Sequence, residues 1–116
     1  MSFLEELNAL LTGLGVSVET GVFSGKPPDE YVVVTPMADV FELHADNRPQ
    51  CETQEARLSL FSKGNYLKRK NQIVRALLEA DFTITARLFV EREEDTGVFH
   101  YAIDCGKCYD VTPNYE

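Results

Sequence analysis

The chain has no apolar run approaching the ~20 residues that a membrane-spanning helix needs. Its first residues, MSFLEELNALL, carry two acids and no early Lys or Arg, so they do not read as a secretory signal peptide. Positive charge is scarce: 11 Lys and Arg stand against 19 Asp and Glu, a formal net charge of −8. That balance argues against nucleic acid or an anionic membrane as the main partner, because both attract cations. Cysteine is sparse and odd in number, at three. Without a secretory signal, such a set points to reduced thiols and a cytosolic setting. The seven glycines are scattered and build no phosphate-binding loop. Neither G-x-S-x-G nor S-x-x-K occurs, and no nucleophile signature surrounds His44 or His100. The expectation is a protein that is not an enzyme and needs no cofactor.

What is present suits one α+β domain spanning residues 1–116. A chain of 116 residues buries roughly two thirds of its unfolded surface, enough to fold without a disulfide or a metal. Apolar residues at 44% and charged residues at 26% are ordinary for a globular protein and argue against disorder. The pattern predicts the order α-β-β-β-β-α-β-β, a mostly antiparallel sheet packed by two amphipathic helices.

Ser2 and Glu5 form an S-x-x-E capping box. Phe3, Leu4, Leu7, Leu10, Leu11 and Leu14 follow as one apolar stripe, and Gly13 and Gly15 end the helix. Strands are predicted over Val16–Phe23, Tyr31–Thr35, Val40–Ala45 and Gln54–Ser62. Loops or turns separate them at Ser24–Glu30, Pro36–Asp39 and Asp46–Gln50. Tyr66–Ala80 has helical periodicity, with Asn65 as N-cap and Leu67, Ile73, Val74, Leu77 and Leu78 on the inner face. Phe82–Glu91 and Val98–Cys105 alternate as a hairpin around the turn Arg92–Gly97. Tyr109–Glu116 is polar, contains Pro113 and is expected to fray.

Cys105-Gly106-Lys107-Cys108 is a CxxC. A redox CxxC opens a helix whose N-terminus lowers the first thiol's pKa, but only eight residues follow and Pro113 interrupts them. A zinc site needs two further ligands, for which Cys51 and His44 are the better candidates and His100 the worse. The simpler reading is a tight turn centred on Gly106 with two small, semi-buried thiols. Glu91, Glu93, Glu94 and Asp95 form an acidic cluster that reads as a solvated turn. Lys63, just before the second helix, and Lys68, Arg69, Lys70 and Arg75 on it form a basic cluster that alone reads as a solvated helix face. Set against each other, Lys68, Arg69 and Arg75 and the acids Glu91, Glu93, Glu94 and Asp95 are candidates for a head-to-tail subunit interface.

The leucine-rich opening helix, the strand EYVVVTP, the strand ARLSLFS, the helix YLKRKNQIVRALLEA followed by DFTIT, and the hairpin containing EREEDTGVFHYAID occur in that order. This order resembles a family of small phage proteins, the tail-terminator, tail-completion or head–tail joining proteins. The resemblance covers nearly the whole chain and is one of pattern and size; the CGKC segment departs from it. It implies a sheet flanked by helices, a homo-oligomeric ring that is commonly hexameric, and a structural role without catalysis. It further implies contacts with a tail tube protein and a head–tail connector. It places the protein in the virion tail, assembled in the bacterial cytoplasm. A different expectation is a small intracellular adaptor or regulatory binding module whose CxxC turn binds zinc.

Overall fold

The computed structural model describes residues 2–20, 25–26, 28–43 and 49–110, with backbone alone for 41–43, 49–50 and 110. The elements are α1 (Phe3–Gly13), β1 (Ser17–Thr20), β2 (Glu30–Leu43), β3 (Pro49–Ser62), α2 (Tyr66–Glu79), β4 (Thr83–Arg92) and β5 (Phe99–Asp110). They form an α+β fold with a five-stranded sheet in the order β1-β2-β3-β5-β4. β1 runs parallel to β2, and every other neighbouring pair is antiparallel.

Local chemistry accounts for both helices. Ser2 Oγ accepts from the Glu5 amide at 3.2 Å, and the Ser2 amide donates to Glu5 Oε1 at 3.3 Å, so the capping box is closed. Phe3, Leu7 and Leu11 are buried one turn apart. Gly15, at φ 83°, supplies the left-handed residue that lets the chain leave the helix, whereas Gly13 stays helical. In α2, Asn65 Oδ1 accepts from the Leu67 amide at 3.2 Å. Asp81 takes the left-handed position at its C-terminus, φ 66°, and the Phe82 amide closes the turn on the Leu77 carbonyl at 2.9 Å.

Both helices pack on one face of the sheet. There Val32 and Val34 of β2, Ala56, Leu58 and Leu60 of β3, and Ile103 and Cys105 of β5 meet Phe3, Leu7, Leu11, Ile73, Leu77 and Phe82 in one buried cluster. At about 1.5–3 kcal/mol gross per large side chain, this cluster is the main drive to fold.

Several boundaries differ from expectation. Tyr31–Thr35 and Val40–Leu43 belong to one 14-residue strand, and the turn expected at Pro36–Asp39 is a bulge in its ladder with β3. Proline has no amide to donate, and a bulge is where a sheet tolerates that loss. Pro49 and Gln50, expected in a loop, begin β3, while 44–48 lie outside the described residues. The expected strand end at Gly21–Phe23 also lies outside them. Tyr109 and Asp110 extend β5 instead of fraying, and the rest of the tail, 111–116, is not described. Strands of 14 residues at about 3.3 Å each reach roughly 46 Å. The molecule accordingly measures 55 × 25 × 23 Å, with a radius of gyration of 15.6 Å. A compact chain of this length has a radius of gyration of about 13 Å.

The inner face of α2 is shifted from its expected position. Ile73 and Leu77 are buried and Val74 is half-buried, but Leu67 is 50% and Leu78 57% exposed. Tyr66 and Lys70 take their places, Tyr66 stacked on the ring of Tyr101 and the Lys70 ammonium 5.3 Å from the centroid of the same ring. The true inner row, Tyr66, Lys70, Ile73 and Leu77, is spaced i, i+4, i+7, i+11. It contains a lysine, so hydrophobicity alone does not pick it out.

Candidate functional site

The CxxC is not a turn. Residues 105–108 continue β5, with the ladder pairs Ala56↔Cys105 and Thr53↔Cys108. An extended strand turns residues three apart to opposite faces, about 10 Å from one another along the chain. Cys105 therefore points into the helix-covered core, 1% exposed, and Cys108 lies exposed on the other face. Burial, with Asp104 beside it, pushes the Cys105 thiol up to about 12, so it is an inert core side chain.

Cys108 is bonded to Cys51, with Cα atoms 5.8 Å apart. This corrects the expectation of three reduced thiols. The pairing follows from the β3–β5 register, which sets Cys51 diagonally from Cys108 on the same face. The zinc set Cys51, Cys105, Cys108 and His44 is not brought together: Cys105 is on the wrong face, the other two cysteines are bonded to each other, and His44 lies outside the described residues. Among the described residues, no group of three His, Cys, Asp or Glu could hold a metal ion.

The sheet face opposite the helices carries a row of rings. Tyr31 stacks on Phe61 with centroids 4.9 Å apart, and Phe61 stacks on His100 at 4.3 Å. Burial lowers the His100 pKa, opposed by Glu91 across the β4–β5 ladder and assisted by Arg57. Its Nε2 is buried without a hydrogen-bond partner. Burial raises the Tyr31 hydroxyl pKa, with Glu93 adding to the effect. Alongside the row, Arg57 grips Asp104 with two parallel bonds, Nε to Oδ1 at 2.7 Å and Nη2 to Oδ2 at 3.0 Å. This fork geometry fixes the β3–β5 register from the side chains.

The candidate interface residues separate into three groups. Lys68 and Arg75 are exposed and line a groove of about 540 Å³ between α2 and the end of α1, with Gly13, Leu14, Gln72 and Glu79. Arg69 is instead built into the fold. Its Nε donates to Glu30 Oε1 at 2.7 Å and its Nη1 to the Leu14 carbonyl at 2.7 Å, while Glu30 Oε2 accepts from Ser62 Oγ at 3.2 Å. Arg69 thus locks the end of α1 and the start of β2 to α2, which removes it from the solvent-facing set. Glu91, Glu93, Glu94 and Asp95 are all exposed, Glu91 in β4 and the others in the turn beyond it. Glu93 organises that turn: its side chain accepts from Thr96 Oγ1 at 3.1 Å and its carbonyl from the Gly97 amide at 2.8 Å. No ion pair joins these acids to Lys68 or Arg75 among the described residues.

No family model matches this chain, and no curated protein matches it. Nor is any helix long and apolar enough to cross a membrane, among the described residues. Of the seven large apolar side chains exposed among the described residues, five belong to α2 and β4: Leu67, Leu78, Leu88, Phe89 and Val90. Phe89, opposite Tyr101, turns to the helix-covered face beside Tyr66, and Leu88, opposite Ala102, turns to the other face. Of the five, Leu67 and Leu78 read from the sequence as part of the inner face of α2.

Proposed function

We propose that this chain is a structural protein of a phage or prophage tail, a tail terminator or head–tail joining protein that works by assembling into a ring and not by catalysis. Its partners in this proposal are further copies of itself, a tail tube protein and a head–tail connector, and its place is the virion tail. The observation that carries it is the concentration of exposed apolar side chains along the α2–β4 edge. Isolated exposed apolar residues are normal, whereas a cluster on an open sheet edge marks a surface that another chain covers. The order of elements that resembles the tail-terminator family supports the same proposal, as does the shortage of reactive groups. Cys105 is buried, Cys51 and Cys108 are bonded, and His100 is stacked with burial lowering its pKa. A zinc-dependent adaptor is the weaker alternative, because its proposed ligands do not converge.

The test is co-sedimentation and electron microscopy with tail tubes assembled from a purified phage tail tube protein. Rings capping one end of the tubes are the expected result. A protein that neither binds tubes nor restores tail completion in a complementation assay refutes the proposal.

A further inference from the structure

Two exposed surfaces of opposite charge stand unpaired among the described residues. The first is the groove between α2 and the end of α1, of about 540 Å³, a size within the range of small-ligand clefts. Lys68, Gln72 and Arg75 lie along its α2 wall at i, i+4 and i+7, so the two cations share a helix face about 10 Å apart. Both are exposed, and neither forms an ion pair among the described residues. Glu79, at the C-terminal end of α2, is the one acid on the groove's lining. The opposite wall is Gly13 and Leu14. The C-terminal end of a helix carries partial negative charge, but Arg69 donates to the Leu14 carbonyl at 2.7 Å and offsets it there. A Cβ on Gly13 would meet nothing within 4 Å, so this wall stands open.

The second surface is the turn between β4 and β5. Glu94 and Asp95 stand at its tip, exposed, and their side chains form no ion pair among the described residues. Glu93 is instead spent on shaping the turn. Its carboxylate accepts from Thr96 Oγ1 at 3.1 Å, its carbonyl from the Gly97 amide at 2.8 Å, and its amide donates to the Val98 carbonyl at 2.9 Å. Gly97, at φ 73°, supplies the left-handed residue that returns the chain to β5. The turn is therefore an acidic knob of set shape, and a pre-shaped element loses less freedom when it docks.

We infer that the acidic turn of one copy, Glu94 and Asp95, docks into the α1–α2 groove of the next, against Lys68 and Arg75. The inference rests on the ring proposal and specifies which surfaces meet. Two cations on long flexible stems close on two carboxylates carried by adjacent residues, and Gln72 between them offers amide donors to the same anions. Opposite charges left unpaired in one chain thus find their partners in the neighbouring copy, and they set the orientation of the contact. Turn against turn, or groove against groove, would bring like charges together. Groove and turn are unlike surfaces, so the contact can repeat from copy to copy, closing into a ring when the rotation permits.

The experiment is a charge swap in the whole chain, read by sedimentation velocity at about 0.15 M salt, where the screening length is about 8 Å. The groove variant is Lys68→Glu with Arg75→Glu, and the turn variant is Glu94→Lys with Asp95→Lys. Each alone should associate at least about tenfold more weakly than the wild type. The groove variant moves the net charge from −8 to −12 and the turn variant moves it to −4, so relief of self-repulsion alone would strengthen association in the turn variant. A chain carrying all four changes should regain wild-type association to within about threefold. An equimolar mixture of the two variants should do the same, since each turn then meets a groove of opposite charge on the other variant. Gly13→Phe narrows the groove without changing charge and should weaken association by about tenfold as well. Melting curves control for folding, and Gly13→Phe keeps the test intact if the reversed groove unfolds. A monomeric wild type, a folded groove, turn or Gly13→Phe variant that associates like wild type, or a four-change chain that stays dissociated overturns the inference. Wild-type rings that ignore tail tubes would refute the tail proposal and leave the contact standing. Normal caps on tubes from the groove variant would refute the contact and leave the tail proposal standing.

Discussion

The two faces of this sheet are held by different forces. Beneath the helices, Val32, Leu58, Leu60 and Ile103 interdigitate with Leu7, Leu11, Ile73 and Leu77, all fully buried. Their contribution is roughly proportional to area and indifferent to direction. On the opposite face the contacts are directional: the Tyr31–Phe61–His100 stack, the forked Arg57–Asp104 pair and the Cys51–Cys108 bridge. The first face supplies most of the stability, and the second fixes which residues stand opposite one another. Truncating the first should leave a cavity, whereas altering the second should loosen the register of β3 on β5.

Leu77→Ala gives the largest expected effect. Leu77 is fully buried between α2 and the sheet, and its loss should cost about 2–5 kcal/mol in urea unfolding. Its neighbour Leu78 is 57% exposed, so Leu78→Ala should change stability by no more than about 0.5 kcal/mol. Equal costs at the two positions would place the inner face of α2 elsewhere and undo the contrast between a packed and an open side.

The bridge comes next. Cys51 and Cys108 are 57 residues apart in sequence, and the loop-closure model gives about 4 kcal/mol for a cross-link of that span. Cys51→Ser with Cys108→Ser should therefore lower the unfolding free energy by up to that amount, and dithiothreitol should do the same to the wild type. Cys105→Ser should act through a different route, by placing a hydroxyl in the apolar cluster, and its cost should be the same with and without dithiothreitol. A double variant as stable as the wild type would show that the opposite face is held without the bridge.

Legibility in the sequence follows the same division. Alternation in ARLSLFS placed Ala56, Leu58 and Leu60 on one side, and S-x-x-E placed the first helix, because both signals lie within a few residues. The α+β class and the order of elements follow from such local signals. Arg57 and Asp104, or Cys51 and Cys108, become neighbours only when β3 pairs with β5 across the intervening α2 and β4. No local pattern carries that register. The CxxC misled because its spacing suggests a turn or a metal only if the segment is not a strand. Arg69 looked solvent-facing beside Lys68 and Lys70, and only the fold shows Glu30 and the Leu14 carbonyl converging on it. The exposed leucines of α2 misled in the opposite sense: an apolar residue left exposed by the fold looks the same in sequence as one covered by its own chain.

Acid should separate the two faces by pH, with the smallest effect on stability at neutral pH. On the helix-covered side, burial raises the Glu6 pKa, but hydrogen bonds from Lys107 at 2.5 Å and from the Tyr109 hydroxyl outweigh it and hold the carboxyl below its ordinary 4.5. A lowered folded pKa means that the unfolded chain takes up the proton first. The stability from Glu6 is therefore complete above about 4.5 and is lost as pH falls through the lower folded value. His100 obeys the same sign at a higher pH. Burial lowers it from 6.5, so its contribution fades as pH falls from 6.5 through its folded value. The ring-stacked face should thus weaken before the covered face. His100→Phe keeps a ring against Phe61 and removes both the titration and the buried, unpartnered Nε2. Its melting temperature at pH 7.5 should equal or slightly exceed that of the wild type. The wild-type decline just below pH 6.5 should vanish in it, while the decline below pH 4.5 persists. Glu6→Gln should show the converse, a flattened lower limb with the upper one intact. An unchanged upper limb in His100→Phe would mean that some other group titrates there, and that the ring-stacked face does not weaken first in acid.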